Sequence, residues 1–380
     1  MNITLLYLGR KGAGPVYTIE LVKALLEKGC HLLVVVSSYA DNIEDWRNLQ
    51  KEYDFNFNEI KTYRSKKEFL LNSMNVLQYY KVCNKINAFN PDFIVSTMVH
   101  PWHNIIYSFL KKSIKRIKII HDVIPHTGED SLAYKLLNYA DIHIADYWIT
   151  LTNVSKEALQ KKGIESNRIG IIPHANFSCY GSNVKKEMDY DKIQNKIAFF
   201  GRINKYKGVD VLLKAFANVK LQLPNLKLLI AGNGDCSAYK TYFEEYADDL
   251  DLHIHWIEDD EVASLLVDVD ILVVPYIEAT QSGVIPLAYA LSKPVIATCV
   301  GGIPEQVPSD CGVLVSPNDI KALEDAIMGF YSNPLKIKEM GNNALKYATE
   351  ELSWSKSAQL LLDFYQKILK NENPSNHHSL

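Results

Sequence analysis

The 380 residues are 47% hydrophobic and 22% charged, which suits two domains of ordinary size and excludes a disordered or fibrous chain. The formal net charge of −3 leaves no whole-protein field that would collect nucleic acid. Six scattered cysteines (Cys30, Cys83, Cys179, Cys236, Cys299 and Cys311) form no CxxC pair, which argues against a zinc ribbon or a disulfide framework and fits a reducing, cytoplasmic compartment.

Residues 3–9 (ITLLYLG) read as a first strand and not as a signal peptide, because the run is short and lacks a basic lead and a cleavage site. Residues 16–28 have helical spacing and stop at Gly29, and residues 31–37 (HLLVVVS) read as a buried strand. This β-α-β unit predicts a parallel sheet covered by helices. Further strands are expected at 93–97, 117–121, 142–144 and 148–151. Residues 1–175 form the expected first domain, and the polar, aperiodic residues 176–195 the linker. The pattern restarts in a second domain, 196–350. Its strands are expected at 196–200, 227–231, 253–257, 271–275, 294–298 and 312–315, and its helices at 208–221, about 238–249, 260–267 and from about 283. A helix at about 355–370 is expected to pack back on the first domain, and the polar residues 371–380 to be a disordered tail. No run of about 18 apolar residues predicts a membrane span.

Two segments carry most of the chemistry. In 199–216 (FFGRINKYKGVDVLLKAF), Gly201 and Arg202 follow a strand, and Lys207 and Gly208 precede a helix. Ligands of open α/β sheets bind at carboxyl strand ends, and a guanidinium fork plus an ammonium suit a pyrophosphate. A solvated basic loop would look the same if the pair stood alone. In 270–306, a strand reaches Pro275 and a loop with Glu278, Gln281 and Ser282 leads to Gly283 and Val284 at a helix start. Amides there make an anion site, and Glu278 can accept from sugar hydroxyls. A lone Glu in such a loop is more commonly a surface acid. Gly301-Gly302, followed by Pro304 and Glu305, marks another tight strand-end loop on the same edge.

Together these segments resemble the family 4 retaining glycosyltransferases. The resemblance is carried by FFGRINKYKGVDVLLKAF, AGNGD (231–235), DILVVP, PYIEATQSGVIPLAYALSKPVIATCVGGIPE and IIPHANF (171–177), and it covers most of 140–350. It implies the GT-B architecture: α/β, with two Rossmann-like parallel-sheet domains facing across a cleft. It further implies a nucleotide-sugar donor, UDP- or GDP-linked, in the second domain, with an acceptor that is a saccharide or lipid-linked. Arg202 and Lys207 would hold the diphosphate, Glu278 the donor sugar, and Gly201, Ser282, Gly283 and Val284 would complete the donor contacts. In the first domain Gly14 would belong to a glycine-rich loop, and His121 would touch the donor sugar, with Asp122 orienting it or helping with the acceptor. His121, Glu278, Arg202 and Lys207 are thus the expected catalytic residues, with no metal and no cofactor. The family's second motif Glu, eight residues after the first, is Pro286 here. Proline has no side-chain acceptor and no N–H, so ribose recognition is expected to differ, be weaker or be absent.

Three features remain. His100, His103, His121 and His126 cluster at strand ends but lack evident acidic partners, so a metal site is not expected. His174 is expected at the domain junction. The basic stretches 63–86 and 111–118 read first as solvated helix faces covering the sheet and, in the alternative, as a surface for anionic lipid and peripheral membrane contact. Two other functional classes stay open: a nucleotide-sugar epimerase, and a catalytically silent partner protein motivated by Pro286.

Overall fold

The computed structural model describes residues 1–124, 139, 142–181 and 193–372. They form two compact units. The first runs to Pro173 and is rejoined by the chain from Trp354, and the second holds His174–Ser353. The expected tail lies outside the described residues, as does much of the expected linker.

The first unit contains β1 (Asn2–Tyr7), α1 (Ala13–Glu27), β2 (His31–Ser37), α2 (Ile43–Glu52), β3 (Asn56–Ile60), α3 (Lys66–Ser73), α4 (Val76–Phe89), β4 (Phe93–Ser96), α5 (His103–Ser108), β5 (Lys115–Ile120), β6 (Tyr147–Thr150), α6 (Asn153–Lys161) and β7 (Ile169–Ile171). The sheet order is β3-β2-β1-β4-β5-β6-β7, parallel throughout. Leu5 pairs with Val34 on one side and Val95 on the other, so β1 lies inside the sheet, and consecutive residues Ile3–Tyr7 are all buried, so both its faces are covered and it reads as a near-continuous apolar run. Chain order reverses between β1 and β4, which places the switch point at their carboxyl ends.

The second unit begins with α7 (Ser178–Gly181) and β8 (Lys196–Phe200), followed by α8 (Val209–Lys220), β9 (Lys227–Ala231), α9 (Lys240–Glu245), β10 (Leu250–His253), α10 (Asp259–Val267) and β11 (Ile271–Val274). It continues with α11 (Val284–Ala290), β12 (Val295–Thr298), α12 (Ile303–Gln306), β13 (Gly312–Val315), α13 (Ile320–Tyr331) and α14 (Pro334–Glu350). The order β10-β9-β8-β11-β12-β13 is again parallel, with its switch point between β8 and β11. The chain then enters α15 (Trp354–Glu372), which lies on the first sheet. There Phe364 covers Gly170, the Tyr365 hydroxyl donates to Asp92 O at 3.2 Å, and Glu372 pairs with Lys115 at 2.6 Å.

Several expectations need correction. Residues 142–144 are not a strand: Ile142 and His143 are helical, and Ile142 is buried with Trp148 and Leu159, a contact that short alternation alone does not reveal. Strands β3 and β7 carried too little apolar pattern to be anticipated, since β3 is a polar sheet edge and β7 has three residues. The expected strand 253–257 is instead β10, an edge strand with no fully buried residue. Helix α1 starts before its expected first residue, so Gly14 sits in its first turn and not in the loop, with Pro15 as the third helical residue. Proline is tolerated there because first-turn amides have no intrahelical acceptor.

Candidate functional site

In the second unit, the loop after β8 is held by backbone. The Gly201 amide donates to Ala231 O at 2.9 Å and the Ile203 amide to Asn233 O at 2.8 Å. Arg202 is therefore fixed at its main chain on both sides while its side chain is exposed. Gly232, at φ 144°, lets β9's end come close: a Cβ there would lie 2.0 Å from Gly201 O. Gly208, at φ 67°, does the same between the two switch-point loops, where a Cβ would lie 2.0 Å from Pro275 O. The Ile277 amide donates to Tyr206 O at 2.7 Å and ties these loops together.

This juxtaposition places the Lys207 ammonium 3.6 Å from the centroid of the buried Tyr276 ring, a cation–π contact that holds the charge at the sheet edge. The Ser282 hydroxyl donates to the Tyr276 hydroxyl oxygen at 3.3 Å, and Ser282 Oγ accepts from the Val284 amide at 3.3 Å. Gln306 clamps the Ser282 main chain in both directions: the Ser282 amide donates to Oε1 at 2.7 Å, and Nε2 donates to Ser282 O at 3.0 Å. A Cβ on Gly201 would touch Val284 at 3.7 Å. The structure thus gathers Lys207 and Ser282 on Tyr276, with Val284 bonded to Ser282 and Gly201 against Val284.

Gly283 packs on His174 and Phe177, whose nearest atoms would lie 3.4 Å and 3.7 Å from a Cβ. Glu278 is exposed on a loop pinned at both neighbours, by the Ile277 amide and by Gly301, which at φ 49° packs on Ala279 O. Pro286 is the buried third residue of α11, so its missing N–H removes no i→i−4 hydrogen bond. Tyr276 and Gln306 were not singled out from the sequence. Tyr276 stands inside the resembling segment, next to Pro275, and Gln306 one residue past its last Glu, Glu305, but only the fold brings them to Ser282.

The first unit carries its own polar chain at its switch point. His121 Nε2 lies 3.2 Å from Thr97 O. A carbonyl only accepts, so Nε2 bears the proton. The ring meets Tyr17 edge-on at 4.8 Å, and burial holds its pKa below the ordinary histidine value against the opposing pull of Asp122. The Thr18 hydroxyl donates to Gly14 O at 2.8 Å, so in its 2.7 Å contact with Thr97 the Thr97 hydroxyl donates. Gly14 and His121 are thereby joined through two threonines. A side chain at Gly14 would press on Tyr7 and Met98.

His100 and His103 are buried in the core and do not join His121 in a ligand set. Burial first, then Lys118, pushes His100 down to about 3 and His103 well below its ordinary range. Burial pushes Lys118 itself down to about 7. His126 lies outside the described residues. Among the described residues no three His, Cys, Asp or Glu side chains are grouped to hold a metal, and no helix is long and apolar enough to cross a membrane.

Comparison with known proteins places this geometry. Residues 14–175 match the family model described as Glycosyltransferase Family 4, and residues 194–333 that described as Glycosyl transferases group 1. A D-inositol 3-phosphate glycosyltransferase of Corynebacterium kroppenstedtii is 30% identical over 184 residues, 46% of this chain and 41% of that protein. A GDP-mannose-dependent monoacylated alpha-(1-6)-phosphatidylinositol monomannoside mannosyltransferase of Corynebacterium glutamicum is 26% identical over 195 residues, 49% of this chain and 50% of that protein. The chain spans about half the length of the curated relatives it matches. Anabaena HepE, solved in complex with UDP, superposes with a TM-score of 0.69 at 16% identity, covering 96% of this chain and all of that one. At that identity the likeness shows the fold, two Rossmann-like parallel-sheet domains of the GT-B class. With these two models matching 14–175 and 194–333, the chain belongs to the family 4 type of group 1 glycosyltransferases.

Proposed function

We propose that the chain is a retaining glycosyltransferase that moves a hexose-type sugar from a UDP- or GDP-sugar to a saccharide or lipid-linked acceptor, in surface polysaccharide or glycoconjugate synthesis. The working location is the cytoplasm, with peripheral contact at the inner face of the membrane. The observation that carries the reading is the pair of cations at the second switch point: Arg202 on a backbone pinned at both neighbours, and Lys207 held over Tyr276.

In this reading the diphosphate leaves as positive charge develops at the anomeric carbon. Arg202 and Lys207 stabilise the leaving charge, an electrostatic role that asks for no metal. Their loops are preorganised, so little reorganisation is needed as the charge grows. The Val284 amide already serves Ser282 Oγ, so a ligand oxygen there would share or displace that bond. Glu278 takes the sugar hydroxyls, and neutral His121, its Nε2–H already given to Thr97 O, acts through the Nδ1 lone pair. Pro286 motivates a second reading, in which the protein binds a partner glycosyltransferase and turns over nothing.

Thermal unfolding against UDP, GDP, ADP and their sugar conjugates tests both. A ligand that binds only the folded state at a hundredfold excess over Kd adds about 2.7 kcal/mol. A rise with one nucleotide names the donor base. No rise with any of them favours the silent-partner reading. Product analysis with donor alone separates transfer from epimerisation.

A further inference from the structure

Among the described residues, six of the fourteen exposed large apolar side chains fall between Leu70 and Tyr80. Leu70 and Leu71 stand on α3, which buries no residue at all, Met74 caps its end, and Val76, Leu77 and Tyr80 stand on the first turns of α4. Exposure runs from 55% at Tyr80 to 80% at Met74. Isolated apolar side chains on a surface are ordinary, whereas a contiguous set of this kind marks a contact surface.

The outward presentation is built in. Phe69 packs edge-on against Tyr63 at 4.9 Å and stacks on Trp102 at 6.3 Å. Trp102 Nε1 donates to Ser73 Oγ at 2.9 Å, and the Tyr79 hydroxyl donates to Asn72 O at 2.9 Å. These contacts tie one flank of α3 to the unit and turn Leu70, Leu71 and Met74 away from it. Side chains of Ser65 and Asn75 cap the two helix starts, accepting from the Glu68 and Gln78 amides. The same i, i+1, i+4 spacing recurs in Val76, Leu77 and Tyr80, while Tyr79, Val82, Cys83 and Ile86 supply the buried face of α4.

Charge selects the occupant. Residues 61–85 carry Lys61, Arg64, Lys66, Lys67, Lys81 and Lys85 against Glu68 alone, a strongly basic segment in a chain of net charge −3. All six cations are exposed, and none pairs with a carboxylate among the described residues. A second copy of the chain would bring the same basic rim against itself across a two-fold axis. An anionic bilayer instead receives the apolar side chains at its acyl boundary while its phosphates meet the lysines.

We propose that the outward face of α3 and α4 docks the first unit on an anionic lipid bilayer. Helix α3 follows β3, so it starts from the carboxyl edge of the sheet. Its Tyr63 lies under Arg10 of the β1 loop, 4.7 Å from the ring centroid. Docking there sets the edge that holds Gly14 and His121 toward the membrane, and this favours a lipid-linked acceptor. That last step rests on the transferase reading, whereas the docking itself does not.

The test is sedimentation of the full chain with vesicles of phosphatidylcholine, with and without phosphatidylglycerol. The expected result is pelleting with the anionic vesicles that weakens as salt is added. Combined Leu70→Ser, Leu71→Ser, Met74→Ser and Leu77→Ser should lower the bound fraction about tenfold or more, with circular dichroism and the nucleotide-induced thermal shift unchanged. Combined Lys66→Glu, Lys67→Glu and Lys81→Glu should remove the preference for anionic over neutral vesicles. The proposal is overturned if the wild type stays in the supernatant, or if the apolar variant pellets as well as the wild type. It is also overturned if ultracentrifugation finds a dimer that the apolar variant splits and vesicles do not bind. Vesicle binding without any nucleotide shift would leave docking standing and remove the transferase reading, and the reverse pattern would do the opposite.

Discussion

The two sheets share a parallel, doubly wound plan, yet their switch points carry opposite chemistry. In the second unit the loops are packed backbone on backbone through Gly201, Gly208, Gly232 and Gly301, and the side chains offered there are ionic: Arg202, Lys207 and Glu278. In the first unit the corresponding edge is a relay of neutral groups, the buried Gly14 O, Thr18 and Thr97 and a part-buried His121 whose pKa lies below the ordinary histidine value. The difference teaches that one topology can present either fixed charge or fixed neutral polarity. What decides is whether the strand-end residues are glycines that leave long charged side chains on a rigid loop, or small hydroxyls that bond one another.

The largest effect should come from removing charge in the second unit. Arg202→Ala is expected to lower transfer by about 100- to 1000-fold, the usual consequence of losing one group that stabilises developing charge. Circular dichroism and the unfolding midpoint should stay as in the wild type. Full activity in that variant would break the assignment of Arg202.

The next effect tests the rigidity of those loops. Gly208→Ala adds a Cβ against Pro275 O at a left-handed φ, and should destabilise the protein by about 2–4 kcal/mol in urea unfolding. Gly14→Ala, in the first unit, meets the movable side chains of Tyr7 and Met98 and should cost less. Equal losses at the two positions would erase the contrast between a backbone-packed and a side-chain-packed switch point.

A smaller effect separates the units by pH. His100 and His103 are held neutral in the folded first unit, with pKa values below those of the unfolded chain. Between the two values the unfolded state binds more protons, so this stability is present above about pH 6.5 and is lost as pH falls toward the folded pKa. The expected loss is about 1–3 kcal/mol between about pH 7 and about pH 5, and His100→Asn should flatten the slope. An unchanged slope in that variant would move the acid sensitivity elsewhere.

The smallest effect concerns the departure at α11. Pro286→Glu puts a carboxylate acceptor in the first turn of α11, where the helix dipole favours negative charge. It should tighten nucleotide binding by about 1–2 kcal/mol, read as a lower Kd in calorimetry. No change would mean that the ribose is recognised from other residues.

Local pattern carried much of the fold. The apolar runs of β1, β2, β8 and β11 are legible because strands covered on both faces have no polar side to show. The edge strands β3 and β10 were missed or misplaced because their half-exposed residues follow no such rule. For the candidate site, FFGRINKYKG and PYIEATQSGVIP drew the eye to Arg202, Lys207 and Glu278 as residue types at strand ends. Contact with a donor is what the Arg202 variant decides.

By itself the sequence determined the alternation of strands and helices, the family resemblance, the positions of the glycines and the proline in place of the second motif Glu. These are properties of short segments, and periodicity and residue type express them without reference to the rest of the chain. Only the tertiary structure decided that Gln306 grips Ser282, that Lys207 rests on Tyr276, that α15 returns to the first sheet, and that Leu70, Leu71, Met74 and Leu77 face outward. Each of these depends on which distant segment fills the space beside a side chain. An apolar residue on a helix reads alike whether its neighbour is a core or open solvent.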